Sequence, residues 1–518
     1  MRRAMAATAA VILAGALIST APAQARYKQA DGPGGVDTSA LTDAVSVNEI
    51  MKHQRAFQQI ANANAGTRAS GLPGYDASAD YVVKRLKKAG YDVKRQTFTF
   101  PFFREVSPTT LTQLTPEEQA LETAIFTYSG SGDVSGPVVP TNDLVIPATP
   151  EPSSSSGCEA SDFEAAGDDP AIALIQRGTC DFAVKVDNAK AAGYDAVIIF
   201  NEGNPGRTDL AVGTLGVPKD IPVVGLSYDD GVALADGDAT AQVTTDVEVD
   251  LERETENVIA DLSKKDRNKA THPDQTIVVG AHLDSVVEGA GINDNGSGSS
   301  TILEIAEQMS ALKLTRNMER PVRFAFWGAE EAGLLGSEHY VANLSTNALS
   351  KIYANLNFDM LGSPNYVRFV YDGDGSSTDP AGPPGSGAIE KVFTDFFDSK
   401  GLASEPTEFS GRSDYGPFIA AGIPAGGLFS GAEGVKTAEQ EDVYGGTAGE
   451  WYDPCYHQAC DDIANLSDDA LHEMGDAAAH ATAVMTLSEA GLFPDGSRVP
   501  QRQTAKQDSF QAHGHPVR

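Results

Sequence analysis

Apolar positions recur along this chain with two periods, and their order sets out two architectures. Residues 45–61 carry helical spacing. Residues 75–89 do so as well, with Tyr75, Ala79, Val82, Val83 and Leu86 on one face. Gly90 sits just past that helix, where a left-handed cap favours glycine. Residues 91–103 are rich in aromatic and β-branched side chains and predict a strand. Around Pro108 the character changes to Thr, Ser, Gly and Pro, with a low-complexity loop at 153–157. Short strands are predicted there at 172–175, 196–200 and 221–224, and helices at 182–192 and 229–235. From about 256, strands at 276–283, 322–327, 354–360 and 366–371 alternate with helices at 299–313, 335–343 and 387–400. In the first of these helices Ile302, Ile305, Ala306, Met309 and Leu312 share one side. A strand at 423–429 and a long helix at 467–489 follow.

Strands alternating with helices predict the α/β class, a mostly parallel mixed sheet sandwiched by helices. The helices and strand before residue 105 have an apolar face that only the later sheet can cover. Residues 41–105 and 251–490 therefore read as one domain, interrupted by a smaller one at 106–250. The first 25 residues read as a signal peptide, with Arg2 and Arg3, an apolar run at 9–18 and the small residues Ala23 and Ala25 before the cut. That run is shorter than the ~20 residues a membrane span needs. Residues 26–40 read as a mobile leader and 491–518 as a polar, disordered tail containing His513 and His515, which receive no role. A secreted, soluble monomer with no membrane partner is expected, cut near Ala25.

The formal net charge is −34. It argues against nucleic acid and anionic membrane surfaces as partners, since both require basic patches. With 72 Asp and Glu in the chain, a lone carboxylate is weak evidence for a site. Four cysteines suit an exported protein. Local disulfides, Cys158 with Cys180 and Cys455 with Cys460, are the simplest connectivity. Zinc ligation is the alternative, and neither group has C-x-x-C spacing.

Candidate chemistry gathers at the ends of the apolar strands. Ile277, Val278 and Val279 lead to His282 and Asp284, and Asp294 follows inside a Gly/Asn turn. Polar groups at a buried strand tip need partners, so His282 and Asp294 are read as metal ligands. The strand at 322–327 ends in Glu330-Glu331 between glycines. Adjacent carboxylates there point to different sides, so one can bind metal while the other faces substrate; a solvated acidic turn is the competing reading. Asp359 lies in an otherwise apolar strand, where a hydrogen-bonded core aspartate competes. Tyr456 and His457 lie between Cys455 and Cys460, in a ring that a disulfide would hold rigid. His480 reads as structural, and His53, His272, His339 and His472 have no comparable setting. The set His282, Asp294, Glu331, Asp359 and His457 suits a borderline metal such as zinc. Five ligands exceed one tetrahedral site that also holds water. Two metals sharing one carboxylate, as His/Asp/Glu and His/Asp/Asp, use them economically.

Five motifs in this order, G-A-H-L-D-S, N-D-N-G-S-G, W-G-A-E-E-A-G-L-L-G-S, N-F-D-M and C-Y-H-Q-A-C, resemble the secreted co-catalytic di-zinc aminopeptidases, the group of bacterial leucine aminopeptidases and aminopeptidase Y. The resemblance covers about 40–105 and 255–490. The middle region resembles a protease-associated domain through its Cys pair, R-G-T-C-D-F and A-G-Y-D-A-V-I-I-F.

The resemblance implies two Zn2+ per chain bridged by Asp294, with His282 and Asp359 completing one site and Glu331 and His457 the other. It makes Glu330 the general base acting on a bridging hydroxide, and Asp284 the carboxylate that orients His282. Tyr456 becomes the donor to the developing oxyanion, and Arg412 a residue lining the pocket for the substrate's amino terminus. The implied reaction is hydrolysis of N-terminal residues, hydrophobic ones by family expectation, from peptides or proteins. Carboxypeptidases and a one-zinc glutaminyl cyclase share related folds and are the competing enzyme classes. A non-catalytic binding protein would be expected to lack ligands, and here all five are present.

Overall fold

The computed structural model describes residues 36–316 and 318–493. The predicted signal peptide, the leader as far as residue 35, and the tail from residue 494, including His513 and His515, lie outside the described residues.

Four neighbouring strands run parallel, in the order Ala425–Phe429, Ile352–Phe358, Thr276–His282, Val322–Trp327. Nearly all their residues are buried, as parallel strands must be when helices cover both faces. One face carries Ile277, Val279, Ala281, Phe324, Phe326, Leu356 and Phe358 into the main core. That core is completed by helices Val47–Ala63, Pro73–Ala89, Gly296–Ala311, Ser386–Lys400 and Asp468–Leu487. The other face turns Val278, Ala325 and Trp327 toward Tyr340, Phe418 and Ile423. Antiparallel strands flank this block, Phe369–Tyr371 on one edge and Thr240–Asp261 on the other. Among the described residues no helix is long and apolar enough to cross a membrane.

The helices form where their apolar spacing predicts, and Gly90 caps Pro73–Ala89 at φ 92°. Two local readings change. Helix Gly296–Ala311 is buried on every side from Gly296 to Ala306, so it is a central helix rather than an amphipathic one. Leu312 lies beyond its end and is 39% exposed, so the apolar side stops at Met309. Strand Ile352–Phe358 also ends one residue before Asp359, which therefore sits at the strand tip and not within the strand.

The strand expected at 91–103 is much longer. It runs as Asp92–Thr115 and pairs antiparallel with Thr240–Asp261, from Asp92 opposite Asp261 to Thr115 opposite Thr240. Pro101 and Pro108 fall in two of its register breaks, Phe100/Phe102 and Ser107/Thr110. A proline has no N–H to give a ladder, so the pairing breaks there and resumes. The change of composition at Pro108 thus falls inside a continuous strand. The chain leaves the peptidase sheet and returns to it along this one ribbon.

Between the two ribbon strands lies the inserted domain. Strands Ile172–Gln176, Ala196–Phe200 and Val223–Leu226 are parallel and wholly buried. Their alternate side chains feed two separate apolar clusters, with Leu174 and Ile198 in one and Ile175 and Ile199 in the other. Both predicted cysteine pairs are disulfides, Cys158–Cys180 here and Cys455–Cys460 in the larger domain.

Candidate active site

The chain goes from Thr276–His282 to Val322–Trp327 on one side of it and then to Ile352–Phe358 on the other. Where successive strands diverge like this, a crevice opens at their carboxyl ends. His282 ends the first strand, Glu330 and Glu331 follow the second, and Asp359 follows the third. Asp294 precedes the central helix, and Asn295 caps that helix by accepting from the Gly298 N–H. Asn295 also donates to Phe358 O and accepts from the Met360 N–H, which fastens the helix start to the turn bearing Asp359. Gly298 permits this contact, because a Cβ there would lie 2.3 Å from Phe358 O. Ala329, Met360 and His457 all have φ between 51° and 56°. Left-handed backbone costs a non-glycine residue about 1–2 kcal/mol, and here it falls beside or on residues of the crevice.

Two sets of donors converge. His282 Nε2 lies 3.2 Å from Asp294 Oδ1 and 3.3 Å from Asp359 Oδ1. His457 Nε2 lies 3.2 Å from Asp294 Oδ2 and 3.1 Å from Glu331 Oε2. Within each set, one ligand atom per residue falls within 4.8 Å of the others. Asp294 belongs to both sets, one oxygen to each. Glu330 Oε2 stands 3.9 Å from His282 Nε2. His457 is the most open member, its side chain 32% exposed.

The electrostatics call for positive charge at the centre. Burial disfavours the imidazolium of His282, but Glu330 and Asp359 lift its pKa well above the ordinary value. Burial likewise opposes His457, and Glu331 and Asp294 push it up to about 11. Burial raises Glu330 strongly, and burial with Asp294 brings Glu331 to about 7. Burial works against ionised Asp294, but the two histidines hold its pKa well below the carboxylate range. His282 Nδ1 faces the Asp284 carbonyl at 3.1 Å. In a neutral ring with its proton there, Nε2 would turn a lone pair toward the carboxylate oxygens, a repulsion that a proton or a cation relieves. Among the described residues, buried Asp359 Oδ1 and Glu331 Oε1 have no hydrogen-bond partner. Ligands about 2.0–2.2 Å from one tetrahedral metal lie roughly 3.3–3.6 Å apart, close to the separations seen. Both donor sets therefore suit a divalent cation.

The remaining predicted residues are nearby. The Asp284 carboxylate is 3.6 Å from His282 Nδ1, farther than its own carbonyl, and its Oδ1 accepts the Glu330 N–H at 3.3 Å. Tyr456 stacks on His457 with ring centroids 3.9 Å apart. Arg412 donates to the Tyr456 hydroxyl at 3.1 Å and to Glu433 at 2.6 Å. Its guanidinium is engaged by side chains of this chain.

Several residues of the site carry no signal in the sequence pattern. Ser413 donates to Asp359 Oδ2 at 2.6 Å and accepts from Asn357. Asp414 is fully buried near Glu330, and burial pushes its carboxyl up to about 7. Arg68, between helices Val47–Ala63 and Pro73–Ala89, is also fully buried. It donates to the carbonyls of Leu283, Ala290 and Gly291, bracing the loop between His282 and Asp294. The other acidic groupings are accounted for differently. Arg85 holds Glu307 beside His53 and Glu304, and backbone amides occupy Asp372. His480 Nδ1 lies 2.8 Å from Thr38 Oγ1, away from the crevice, in keeping with a structural role.

The model of peptidase family M28 matches residues 257–482, and the PA-domain model matches 134–234. An aminopeptidase of Pseudomonas aeruginosa is 47% identical over 459 residues, covering 86% of this chain and 82% of that protein. The probable lipoprotein aminopeptidase LpqL of Mycobacterium tuberculosis is 41% identical over 92% of this chain and 91% of its own. Among solved structures, the zinc aminopeptidase BSAP of Bacillus subtilis aligns with a TM-score of 0.61 at 26% identity, over 86% of this chain and 97% of its own. On this likeness across nearly the whole sequence, the chain belongs to peptidase family M28, in its aminopeptidase group, with a PA domain inserted in the peptidase fold.

Proposed function

We propose that this protein is an exported di-zinc aminopeptidase that removes N-terminal residues from peptides and proteins. One observation carries the reading: two separate His/carboxylate sets share Asp294, one oxygen each. His282, Asp294 and Asp359 would hold one zinc, and Asp294, Glu331 and His457 the other. Zinc bound there would polarise the scissile carbonyl and acidify the attacking water.

The chain's own groups divide the rest of the work. Glu330 stands at the rim of the first set without joining it, and burial raises its pKa, which makes its carboxylate a stronger proton acceptor. It would accept the proton of the attacking water and deliver it to the leaving amine. The Asp284 carboxylate, holding the Glu330 N–H, keeps that base in line with the His282 strand. Arg412 occupies the Tyr456 oxygen from behind, which leaves the hydroxyl proton to be donated to the developing oxyanion. Arg412 would thus act through Tyr456 at the edge of the substrate pocket in which the resemblance places it.

The acidic surroundings favour the free α-ammonium of a substrate. A carboxypeptidase would instead need a cation for the substrate carboxylate. Arg68 is committed to backbone carbonyls and Arg412 to Glu433 and Tyr456. The preference for a hydrophobic first residue rests on the resemblance to leucine aminopeptidases. The inserted domain would restrict access to the crevice or bind substrate. Export is supported by the charged and apolar N-terminal pattern and by two disulfides.

A panel of aminoacyl-nitroanilides should be hydrolysed, leucyl best, with activity abolished by a zinc chelator or by blocking the substrate's amino group; turnover of amino-blocked, carboxyl-free dipeptides would overturn the reading. Glu330→Gln should keep its metal and lose about 10²–10⁴-fold in kcat, and near-normal turnover would remove Glu330 as the base. His457→Ala should bind one zinc where the parent binds two, measured by atomic emission, and unchanged content would strike it from the ligands. N-terminal sequencing of exported protein should begin near Arg26; an intact Met1 would contradict cleavage.

A further inference from the structure

Three of the loops that carry the proposed ligands, those of Asp294, Asp359 and His457, come from distant parts of the chain, and one buried polar node joins them. Asn293, immediately before Asp294, is fully buried. Its side-chain oxygen accepts the Gly362 N–H at 3.0 Å. Its side-chain amide donates to Ser363 Oγ at 3.1 Å and to Asp453 Oδ2 at 2.6 Å. Gly362 and Ser363 follow Asp359, and Asp453 precedes the disulfide loop of His457. Asn293 therefore spends one acceptor and both donors on the two neighbouring ligand loops.

Asp461 closes the node from the other end of the disulfide loop. Its Oδ1 accepts the Asn293 N–H at 2.8 Å and its Oδ2 accepts the Asp294 N–H at 3.0 Å. Asn465 donates to Asp453 Oδ1 at 2.8 Å and to Asp461 Oδ1 at 3.3 Å, bridging the two carboxylates. Asp453 Oδ1 also accepts the Cys455 N–H at 2.9 Å. Every one of these carboxylate oxygens takes an N–H, and Asp453 and Asp461 are at most 2% exposed. Buried carboxylates are costly unless so occupied, and here their acceptors are aimed at the backbone of the ligand loops. The disulfide alone ties Cys455 to Cys460 and leaves the ring's place relative to Asp294 open. The carboxylates on either side of the ring set that place.

We propose that Asn293 and Asp461 are positioning residues that hold Asp294 in register with both Asp359 and His457, and so set the zinc affinity of both sites at once. This rests on the di-zinc reading above. A loop shift of a few tenths of an ångström would move Asp294 relative to both partner sets, because its two oxygens serve one set each. Losing a residue that orients metal ligands typically weakens metal binding about 10–100-fold.

The test is zinc titration of chelated, refilled full-length protein, followed by atomic emission and thermal unfolding. Parent protein, Asp461→Asn, Asp461→Ala and Asn293→Ala are compared. Asp461→Asn keeps the shape and one acceptor oxygen but turns an amide toward a backbone N–H. It should fold, keep the melting temperature of its chelated form near that of the chelated parent, and need about 10–100-fold more free zinc to fill both sites. kcat at limiting zinc should fall with KM little changed, and excess zinc should restore it. Asp461→Ala and Asn293→Ala should be weaker still. Parent-like zinc affinity in Asp461→Asn would overturn the proposal, as would a lowered melting temperature of the chelated form with unchanged zinc affinity, which marks a purely structural role. A parent that binds fewer than two zinc ions would fail the di-zinc reading instead, so the two failures are distinguishable.

Discussion

The structure turns on a crowding of negative charge that the fold forces into one buried crevice. Asp284, Asp294, Glu330, Glu331 and Asp359 face two imidazoles at the tips of three parallel strands. Left to themselves, such carboxylates repel one another and resist burial. Protons on His282 and His457 answer part of that demand, as their raised pKa values express. Divalent cations would answer it more fully, since each imidazole could then present its lone pair to the positive charge held by its own donor set. Asp294 is the pivot because each of its oxygens serves a different imidazole.

Holding this arrangement requires a scaffold that does not relax. The parallel strands and the central helix from Gly296 to Ala306 are buried, so the strand tips have a fixed spacing. Close backbone approach at Gly298 and the Asn295 cap join the Asp294 loop to the Asp359 turn. Arg68 braces the same loop from beneath through three carbonyls, and its buried charge lies among Asp461, Asp284 and Asp294. Catalytic precision of this kind depends on the groups behind the reacting ones. The inserted domain has cores of its own and reaches the peptidase through a single two-stranded ribbon, so its attachment leaves the strand order at the crevice intact.

Much of the crevice is legible along the chain because its chemistry is local to strand ends. An apolar run that stops at His282, or a glutamate pair between glycines after a buried strand, announces itself through its immediate neighbours. The helices at 73–89 and 468–487 are equally plain, since an apolar face at helical spacing with a cap is a local pattern. The ribbon was less visible: the predicted strand at 91–103 runs through Pro101 but stops before the change of composition at Pro108, yet both prolines fall where the ladder skips, and partners more than a hundred residues away carry the strand through. Leu312 reads as core by periodicity, but the helix ends before it. Arg412 is singled out only by the resemblance, as a residue of the substrate pocket, and its contacts with Tyr456 and Glu433 appear only in the tertiary structure.

By itself, the sequence determined the residue types, their order, the alternation that makes an α/β sheet, and which carboxylates and imidazoles end its strands. These follow from periodicities of two and of 3.6 and from short-range turn chemistry, which neighbours in sequence decide. Tertiary structure alone decided which imidazole meets which carboxylate, that one oxygen of Asp294 faces each set, and that Asn293, Asp461, Arg68 and Ser413 stand behind them. Most of these pairings join residues from 54 to 223 positions apart. Nothing in local sequence encodes that distance; the packing of the sheet and its helices closes it.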